Sequence, residues 1–197
     1  MRICHIREEY VEYLRQKEPN VFINKNESRP YVGIVLTIND YTYYVPLSSP
    51  KVKHKKMKNT KDFHKIANGS YGVINFNRMI PVPKECIIHF DFANEPNALY
   101  RALLQKQYRY ISDIEDVIIK KSNNIYNIFH KPDNELSSFD LKIKKRCCDF
   151  ELLEKMCDIY CEKYKKRKWQ NKLLRCLRMD IKKVSIVVYN MMINCKS

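Results

Sequence analysis

Glycine is scarce in this chain of 197 residues, which contains only Gly33, Gly69 and Gly72. The phosphate-binding loops of P-loop proteins and of dinucleotide-binding folds need several glycines at fixed spacing, because the backbone there approaches a phosphate closely. These three positions supply neither fingerprint. The HExxH motif of zinc peptidases and the GxSxG motif of serine hydrolases are absent as well. The common sequence signatures of nucleotide, zinc-peptidase and acyl-transfer chemistry are therefore excluded.

Long apolar runs are also missing from the sequence. No stretch of about 18 consecutive apolar residues occurs, so we expect no transmembrane helix. The N-terminal sequence MRICHIREEY lacks the apolar segment of a secretory signal peptide, which predicts a cytoplasmic protein. We expect the eight cysteines to stay reduced in that compartment. Because no two of them form a CxxC pair, we interpret them as small buried side chains rather than as metal ligands.

Acidic residues are too few to balance the basic ones. The chain has 37 lysines and arginines against 22 aspartates and glutamates, and its formal net charge is +15. This excess favours a polyanionic partner, either a nucleic acid or an anionic membrane surface. A basic, solvated surface without such a partner is the alternative interpretation. The hydrophobic fraction of 45% is high enough for a folded core.

Hydrophobic periodicity predicts strands in the first half of the chain and helices in the second. The predicted strands span residues 2–6, 31–38, 41–47, 71–76, 79–82 and 86–92. An early helix is predicted at 8–16, a long helical stretch from Pro96 with an interruption at Ser122–Asn124, and a further helix at 150–164. Residues 51–65 contain seven lysines and no apolar period, so we expect a mobile basic loop there. The predicted class is α+β with an antiparallel, strongly bent sheet.

A polar corner follows the strand predicted at 41–47. Its sequence is Ser48-Ser49-Pro50-Lys51, and Pro50 restricts Ser49 to an extended backbone. Two hydroxyls and a lysine on a rigid corner suit an anion such as phosphate. RNA carries its own nucleophile, the 2′ hydroxyl, so a protein that stabilises the phosphorane and protonates the leaving oxygen can cleave it without a metal or cofactor. The corner is therefore a candidate site for RNA cleavage, and an ordinary Ser-Pro turn is the alternative interpretation.

Basic and aromatic residues lie close to this corner in the sequence. The lysines directly after it are Lys53, Lys55, Lys56 and Lys58. The tyrosines on or between the preceding strands are Tyr31, Tyr41, Tyr43 and Tyr44. Lysines that bind phosphates, together with tyrosines on which bases stack, favour single-stranded RNA. A solvated lysine-rich loop is the alternative, and composition alone does not separate RNA from DNA or binding from cleavage.

The order of several motifs resembles the ToxN/AbiQ family, the endoribonuclease toxins of type III toxin–antitoxin systems. The motifs are, in this order, "RPYVGIVLTINDYTYYVPLSSPK", "YGVINFNRMIPVP", "ALYRALLQKQYRYI" and "FELLEKM". In the family, a strand with a Gly-Ile-Val-Leu-like run precedes a (Thr/Ser)-Ser-Pro-Lys corner, and a strand ending in Ile-Asn leads into Met-Ile-Pro and a helix with Lys-Gln. The resemblance covers about residues 1–164. We therefore predict one domain at 1–164 and a basic, helical extension at 165–197.

The resemblance implies a fold, a reaction and a partner. The fold is a highly twisted antiparallel sheet with packed helices, similar to the Kid/MazF toxins and their barrel-type core. The reaction is metal-independent RNA cleavage that leaves a 2′,3′-cyclic phosphate and a 5′ hydroxyl. The expected partner is a small repeated RNA antitoxin, a pseudoknot that the toxin cuts from its precursor and that inhibits the toxin in a closed protein–RNA assembly. The expected substrate is cellular or phage RNA, and the expected role is abortive phage defence.

The resemblance also assigns candidate catalytic residues. Ser49 and Lys51 match the serine and lysine of the family corner, with Ser48 beside them. Tyr10 matches an active-site tyrosine on the first helix, and Arg29 falls near a family lysine. We expect Lys51 to stabilise the phosphorane and protonate the leaving oxygen, and Ser49 to hold the phosphate or orient the 2′ hydroxyl. We expect Arg29 to clamp phosphate, although arginine is a poorer proton donor than lysine, and Tyr10 to position a base or phosphate.

Further residues are expected to bind the RNA. They are Lys53, His54, Lys55, Lys56, Lys58 and Tyr44. His54 is interpreted either as an acid–base group or as a contact to the RNA backbone. The basic run at 165–168 with Trp169 either extends the RNA surface or belongs to a helix that caps the core. Two competing functions are a non-catalytic RNA- or DNA-binding protein and a basic adaptor for an acidic protein or a membrane.

Overall fold

The computed structural model describes residues 1–170, of which Met1–Cys157 form one compact unit. The strands are β1 (Arg2–Ile6), β2 (Tyr31–Ile38), β3 (Tyr41–Ser48), β4 (Phe63–Lys65), β5 (Val73–Asn75), β6 (Ile80–Pro81) and β7 (Ile87–His89). The helices are α1 (Glu8–Arg15), α2 (Val52–Lys56), α3 (Ala98–Asp113), α4 (Glu115–His130), α5 (Ser138–Lys144) and α6 (150–170). Several short 3-10 turns connect these elements.

The strands form one sheet in the order β4-β5-β3-β2-β1-β7, and β6 also pairs with β3. Every pairing between these strands is antiparallel. Strand β3 is central, because β2 pairs along one of its edges while β6 and β5 share the other. The predicted α+β class with an antiparallel sheet and packed helices is confirmed. The order of the described strands is open, so they form a twisted sheet without closing into a barrel.

The hairpin between β2 and β3 follows from local turn chemistry. Asn39 and Asp40 have φ values of 47° and 68°, which is the left-handed pair of a two-residue hairpin turn. Asparagine and aspartate tolerate this conformation better than most residues, and its twist matches that of the strands. The register shifts between Val32 and Leu36, and such a bulge bends the strand.

An aromatic cluster joins β3 to two helices. The Tyr43 ring lies edge-on to Tyr126 of α4 and to Phe150 of α6, with centroid distances of 5.7 and 5.8 Å. The hydroxyls of Tyr43 and Tyr126 donate to the same Glu154 oxygen at 2.7 and 2.9 Å. Burial, followed by these hydrogen bonds to Glu154, raises the pKa of both tyrosines, so both remain protonated donors. The half-buried carboxylate of Glu154 thereby accepts two hydrogen bonds, which replace contacts with water.

Position 33 in β2 has room only for glycine, because the Tyr44 ring of β3 lies against it. A Cβ atom built on Gly33 would lie 1.9 Å from the nearest carbon of the Tyr44 ring in β3. The ring therefore occupies the space that any side chain at position 33 would fill. Tyr44 is buried by this contact, with 5% of its surface exposed.

The predicted mobile loop at 51–65 is wrong. This segment contains α2 and β4, and β4 extends the edge of the sheet by pairing with β5. The segment is anchored by His54, which is 4% exposed, and by the Asn59 side chain, which accepts a hydrogen bond from the Lys65 amide at 2.7 Å. The prediction failed because it was based on the many lysines of the segment, most of which are exposed, and not on the few residues that anchor it.

The predicted helix interruption at Ser122–Asn124 is also wrong. Helix α4 runs through these residues, and the side chains of Ser122 and Asn123 donate to the carbonyls of Ile118 and Ile119, both at 2.9 Å. The break instead falls at Ile114, whose φ and ψ of −115° and 24° separate α3 from α4. Polar side chains that bond back to the preceding turn are compatible with a helix interior.

The C-terminal helix predicted at 150–164 is confirmed, and α6 continues to residue 170. Residues 165–170 are thus helical, with Trp169 65% exposed, whereas the rest of the predicted extension lies outside the described residues. Sequence analysis missed α5, which begins after Ser137, whose hydroxyl accepts from the Asp140 amide at 3.1 Å. Within residues 1–170, no helix is long and apolar enough to cross a membrane. The six cysteines in this range are free, and five of them are buried.

The contact between Gly33 and Tyr44 predicts a specific pattern of stability. Gly33→Ala should lower the free energy of unfolding by about 1–3 kcal/mol, because the new methyl group overpacks the site. The same change in a Tyr44→Ala background should cost less than half as much, since the ring is gone. Urea denaturation of the two single variants and the double variant measures this coupling. Equal costs in both backgrounds would contradict the contact.

Candidate functional site at the Ser-Ser-Pro-Lys corner

The corner, defined here as Ser48–Lys51, begins at the last residue of β3. The Ser48 hydroxyl accepts a hydrogen bond from the Asn75 side chain of β5 at 3.1 Å, which ties the corner to the neighbouring strand. The side chains of Ser49 and Lys51 are exposed. A hydroxyl and an ammonium group are therefore both available to a ligand on a backbone that the sheet holds in place.

Arg29 binds the backbone of β3 directly before the corner. Its guanidinium donates to the carbonyls of Leu47 at 3.0 Å and of Ile23 at 2.7 Å. It also stacks over the Phe22 ring, 4.8 Å from the centroid. Burial lowers the pKa of Arg29, and nearby Tyr31 opposes this shift. Arg29 thus contacts the residue directly before Ser48, and its action on phosphate stays a prediction.

The loop that carries Arg29 has an unusual backbone. Lys25, Asn26 and Glu27 are three consecutive residues with φ values of 60°, 54° and 63°. The amide of Glu8 donates to the Glu27 carboxylate at 3.0 Å, and the amide of Glu27 donates to the Glu8 carboxylate at 2.9 Å. Left-handed non-glycine residues persist only where surrounding contacts hold them. This reciprocal pair supplies such contacts and fixes the approach to Arg29.

Two of the three glycines press against the backbone of the corner and of α2. A Cβ atom on Gly72 would lie 2.1 Å from the carbonyl oxygen of Ser48, and one on Gly69 would lie 2.8 Å from that of His54. Both glycines have positive φ values, 97° and 89°. Gln107 of α3 holds the same loop, because its side-chain amide donates to the Tyr71 carbonyl at 2.6 Å. The corner thus rests on a loop that α3 positions.

His54 is buried behind the corner instead of facing solvent. Its Nδ1 accepts a hydrogen bond from the Lys51 amide at 3.2 Å, while its own amide donates to the Lys51 carbonyl at 2.9 Å. Its ring lies edge-on to Phe63 at a centroid distance of 6.3 Å. Burial, followed by the charges of Lys53 and Lys51, lowers the pKa of His54. The expectation that His54 touches the RNA backbone or acts as an acid–base group does not fit a ring that is 4% exposed.

The predicted lysine cluster lies on and after α2. Lys53, Lys55, Lys56 and Lys58 are all exposed. They follow directly from Lys51, so the corner and these four ammonium groups share one stretch of backbone. Such an arrangement concentrates positive charge next to the corner.

Two predicted site residues are buried in the fold. Tyr10 of α1 is fully buried, and its hydroxyl donates to the Pro81 carbonyl of β6 at 2.7 Å, so it joins α1 to β6. Tyr44 is buried against Gly33 and lines a cavity of about 480 Å³ with residues of β1 and β7. Tyr31 and Tyr43 are buried as well. The predicted stacking of bases on these three rings is therefore corrected, since none of them presents an open face.

Sequence analysis missed three supporting residues: Asn75, Gly72 and Gln107. Each contacts the corner or the loop under it through one hydrogen bond or one close approach. A signal was present in the sequence, because all three lie within the quoted motifs "YGVINFNRMIPVP" and "ALYRALLQKQYRYI". Among residues 1–170, no group of three or more histidine, cysteine, aspartate or glutamate side chains is placed to hold a metal ion.

The fold and the corner define a class: a basic α+β protein with exposed serine and lysine side chains directly after a central antiparallel strand. A family model for the toxin ToxN of type III toxin–antitoxin systems matches residues 2–158. The endoribonuclease ToxN of Bacillus thuringiensis subsp. kurstaki is 33% identical over 165 residues, which cover 80% of this chain and 83% of that protein. The endoribonuclease AbiQ of Lactococcus lactis subsp. lactis is 32% identical over 175 residues, or 83% and 91%. The chain belongs to the ToxN toxin family.

Solved structures agree with this assignment. A structure described as a toxin selectively inhibited by a non-coding RNA pseudoknot has a TM-score of 0.72 at 32% identity, covering 81% of this chain and 97% of that one. A structure of AbiQ, described as a lactococcal anti-phage endoribonuclease, has a TM-score of 0.66 at 27% identity, covering 82% and 98%. The fold resemblance implied by the sequence motifs is therefore confirmed.

The close approach of Gly72 to Ser48 predicts a structural effect at the corner. Gly72→Ala should lower the free energy of unfolding by about 1–3 kcal/mol, because a side chain at positive φ is strained and meets the Ser48 carbonyl. It should also shift the amide NMR signals of Ser48 and Ser49. Ala67→Gly is the matched control in the same loop, since Ala67 already has a φ of 46° and glycine relieves that conformation. A Gly72→Ala protein as stable as the control, with unmoved signals, would contradict the packing.

Proposed function

We propose that this protein is an endoribonuclease toxin whose active site is the corner and whose inhibitor is an RNA. Its relatives ToxN and AbiQ are named endoribonucleases, and a related toxin is described as inhibited by an RNA pseudoknot. The observation that carries the proposal is the corner itself. There, the exposed Ser49 and Lys51 side chains project from a backbone that Arg29, His54 and Gly72 hold.

The proposed reaction uses the nucleophile of the RNA. The 2′ oxygen attacks the adjacent phosphorus and gives its proton to water, forming a phosphorane with additional negative charge. The bond from phosphorus to the 5′ oxygen then breaks, and that oxygen takes up a proton. The products are a 2′,3′-cyclic phosphate and a 5′ hydroxyl. The protein contributes position, positive charge and a proton donor to this transesterification.

Lys51 and Ser49 are proposed to act on the scissile phosphate. The Lys51 ammonium stabilises the phosphorane and donates the proton to the 5′ oxygen. The Ser49 hydroxyl donates a hydrogen bond to a phosphate oxygen and thereby holds the group beside Lys51. A backbone fixed from behind makes these contacts effective, because groups already in position need no reorganisation during the reaction.

Arg29 and Ser48 are proposed to support the corner. Two N–H groups of Arg29 donate to carbonyls. The remaining N–H groups of the charged guanidinium are proposed to donate to a phosphate bound at the corner. The Ser48 hydroxyl accepts from Asn75, so its oxygen maintains the join between β3 and β5. Tyr10 is proposed to act through the fold, by holding β6, and not through a contact to RNA.

The lysines of α2 are proposed to bind the antitoxin. Four exposed ammonium groups next to the corner suit the phosphates of a folded RNA that covers the active site. We propose a small repeated RNA that folds as a pseudoknot, is cut from its precursor by the toxin and closes an assembly of alternating protein and RNA. Release of the toxin would then expose cellular or phage RNA to cleavage, consistent with the anti-phage description of AbiQ.

The catalytic unit is proposed to comprise residues 1–164 and to act in the cytoplasm. The family model covers residues 2–158, so the exact boundary remains a prediction. Six free cysteines suit a reducing compartment. Residues 165–168 and Trp169 are proposed to extend the RNA surface.

The corner makes a direct prediction about RNA cleavage. In cells without upstream antitoxin repeats, the wild-type protein should arrest growth and create new 5′-hydroxyl RNA ends. Lys51→Ala should reduce the cleavage rate by roughly 100- to 1,000-fold, because a charge-stabilising donor is lost. Ser49→Ala should reduce it by roughly 10- to 100-fold, the range for a hydrogen bond to a charged group. Growth curves and 5′-end mapping measure both effects.

Lys84→Ala is the control for this experiment, because Lys84 is an exposed lysine on the surface near β7. It should arrest growth as wild type does. If wild type binds RNA but generates no new ends, the protein is a non-catalytic RNA-binding protein and the proposed reaction is wrong.

The lysine cluster makes a prediction about salt dependence. Replacing Lys53, Lys55, Lys56 and Lys58 by alanine should weaken antitoxin binding. The slope of log Kd against log salt should fall by roughly 0.7–0.9 per lysine lost, since each contact releases condensed counterions. Binding titrations with the repeat RNA at several salt concentrations measure the slope.

A second variant that loses the same number of charges elsewhere shows whether the effect comes from direct contact with the RNA or only from net charge. Lys17, Lys84, Lys142 and Lys145 are exposed lysines outside α2, and their replacement by alanine removes the same charge. An equal change in slope for both variants would mean that the α2 cluster is not the contact surface.

A further inference from the structure

We propose that His54 is a positioning residue that holds the Lys51 backbone through its neutral imidazole, and that cleavage is lost when this ring is protonated. The inference rests on the proposed ribonuclease function of the corner. It differs from both sequence interpretations of His54, because the ring contacts neither the substrate nor the leaving group.

The geometry is a closed pair of hydrogen bonds between two residues. The Lys51 amide donates to His54 Nδ1 at 3.2 Å, and the His54 amide donates to the Lys51 carbonyl at 2.9 Å. Both backbone polar groups of Lys51 are therefore bound by one residue. The Lys51 side chain is exposed, so packing does not fix it. The position of its Cα and Cβ atoms is set by this backbone contact.

The position of His54 leaves its ring little freedom. The ring is 4% exposed and lies edge-on to Phe63 of β4 at 6.3 Å. The His54 carbonyl lies under Gly69, where a Cβ would come within 2.8 Å. The ring thus packs against the strand that follows α2, while the backbone of His54 packs against the glycine loop that α3 positions. Because the ring has little room to move, a change in its protonation acts directly on the hydrogen bond from the Lys51 amide.

The contact specifies a protonation state. Nδ1 accepts a hydrogen bond only when it carries no proton, so the neutral ring with its proton on Nε2 is required. Protonation of Nδ1 would place two donors against each other and break the contact. The charged groups that act on the ring are Lys53 and Lys51, and both oppose a further positive charge.

The sign of the pH effect follows from these groups. Burial and then the two lysines hold the pKa of His54 below its ordinary value of 6.5. The neutral, positioning form is therefore complete above pH 6.5 and is lost as the pH falls through the lower value of the folded protein. We infer that the toxin loses activity through the corner as the pH falls through this lowered pKa of His54.

Two substitutions at His54 distinguish the effect of losing the hydrogen-bond acceptor from the effect of losing the ring volume. His54→Phe keeps an aromatic ring but removes the acceptor, and it should lower kcat about 10- to 100-fold, because a displaced catalytic group loses reactivity steeply. His54→Asn restores an oxygen acceptor near the position of Nδ1 without a titrating group, and it should recover at least tenfold of that loss. The dissociation constant of the antitoxin should change less than about threefold, because the ring does not face the RNA. A His54→Phe protein with wild-type kcat would overturn the inference.

The pH profile supplies a readout that a purely structural role would not move. The ratio of wild-type to His54→Asn cleavage rates should be constant above pH 6.5 and fall below it. His5 and His64, whose pKa values are also lowered by burial, remain in both proteins and cancel in the ratio. His89→Asn is the matched control, since His89 is exposed on β7, and its ratio to wild type should not vary with pH. A flat His54 ratio would contradict the proposal, even if His54→Phe fails to fold.

An RNA-free measurement distinguishes this inference from the proposed function. The amide NMR signal of Lys51 should titrate with pH in the wild type with the same midpoint as the His54 ring, and should not do so in His54→Asn. If the Lys51 signal titrates but the wild type cleaves no RNA, the positioning contact stands and the ribonuclease proposal fails. If RNA is cleaved and the Lys51 signal does not follow His54, the positioning proposal is wrong while the ribonuclease stands.

Discussion

Close backbone packing at the end of β3 is the constraint on which the site depends. The Ser48 carbonyl lies where a Gly72 side chain would be, Arg29 binds the Leu47 carbonyl, and His54 binds both backbone polar groups of Lys51. None of these contacts uses the exposed side chains of Ser49 or Lys51. The fold therefore positions the two candidate catalytic groups through their backbone and leaves their side chains exposed. Such preorganisation is what makes a small number of donors effective.

The same arrangement concentrates positive charge. Arg29, Lys51 and the four lysines on and after α2 lie on neighbouring segments, with no acidic residue between 51 and 58. Like charges at short range are unfavourable in the free protein, and a polyanion relieves this repulsion when it binds. An RNA inhibitor is a chemically suitable partner for such a site, because it neutralises the cations and covers the corner together. Two of these lysines, Lys51 and Lys53, also oppose protonation of His54. The same positive charges that favour RNA therefore help to keep the ring neutral.

Much of the fold was predictable because its signals are local. The apolar runs gave β1, β2 and β3, and the Asn39-Asp40 pair gave the hairpin, since both depend on residues close in sequence. The predictions that failed were made from residue type, which does not show what a side chain contacts. Composition suggested a mobile loop at 51–65, but His54 packs against Phe63 and under the glycine loop. Ser122–Asn124 suggested a helix break, but the side chains of Ser122 and Asn123 bond to the previous turn.

The sequence by itself determined the family, the antiparallel α+β class and the candidate residues of the corner, because motifs and hydrophobic period are written along the chain. Only the tertiary structure decided which polar and aromatic side chains meet there. Tyr10 and Tyr44 were expected at the RNA surface, yet Tyr10 holds β6 and Tyr44 fills the space above Gly33. His54 was expected to face RNA, yet it binds the Lys51 backbone. The physical reason is that burial and hydrogen-bond partners depend on segments far apart in sequence, whose approach no local pattern encodes.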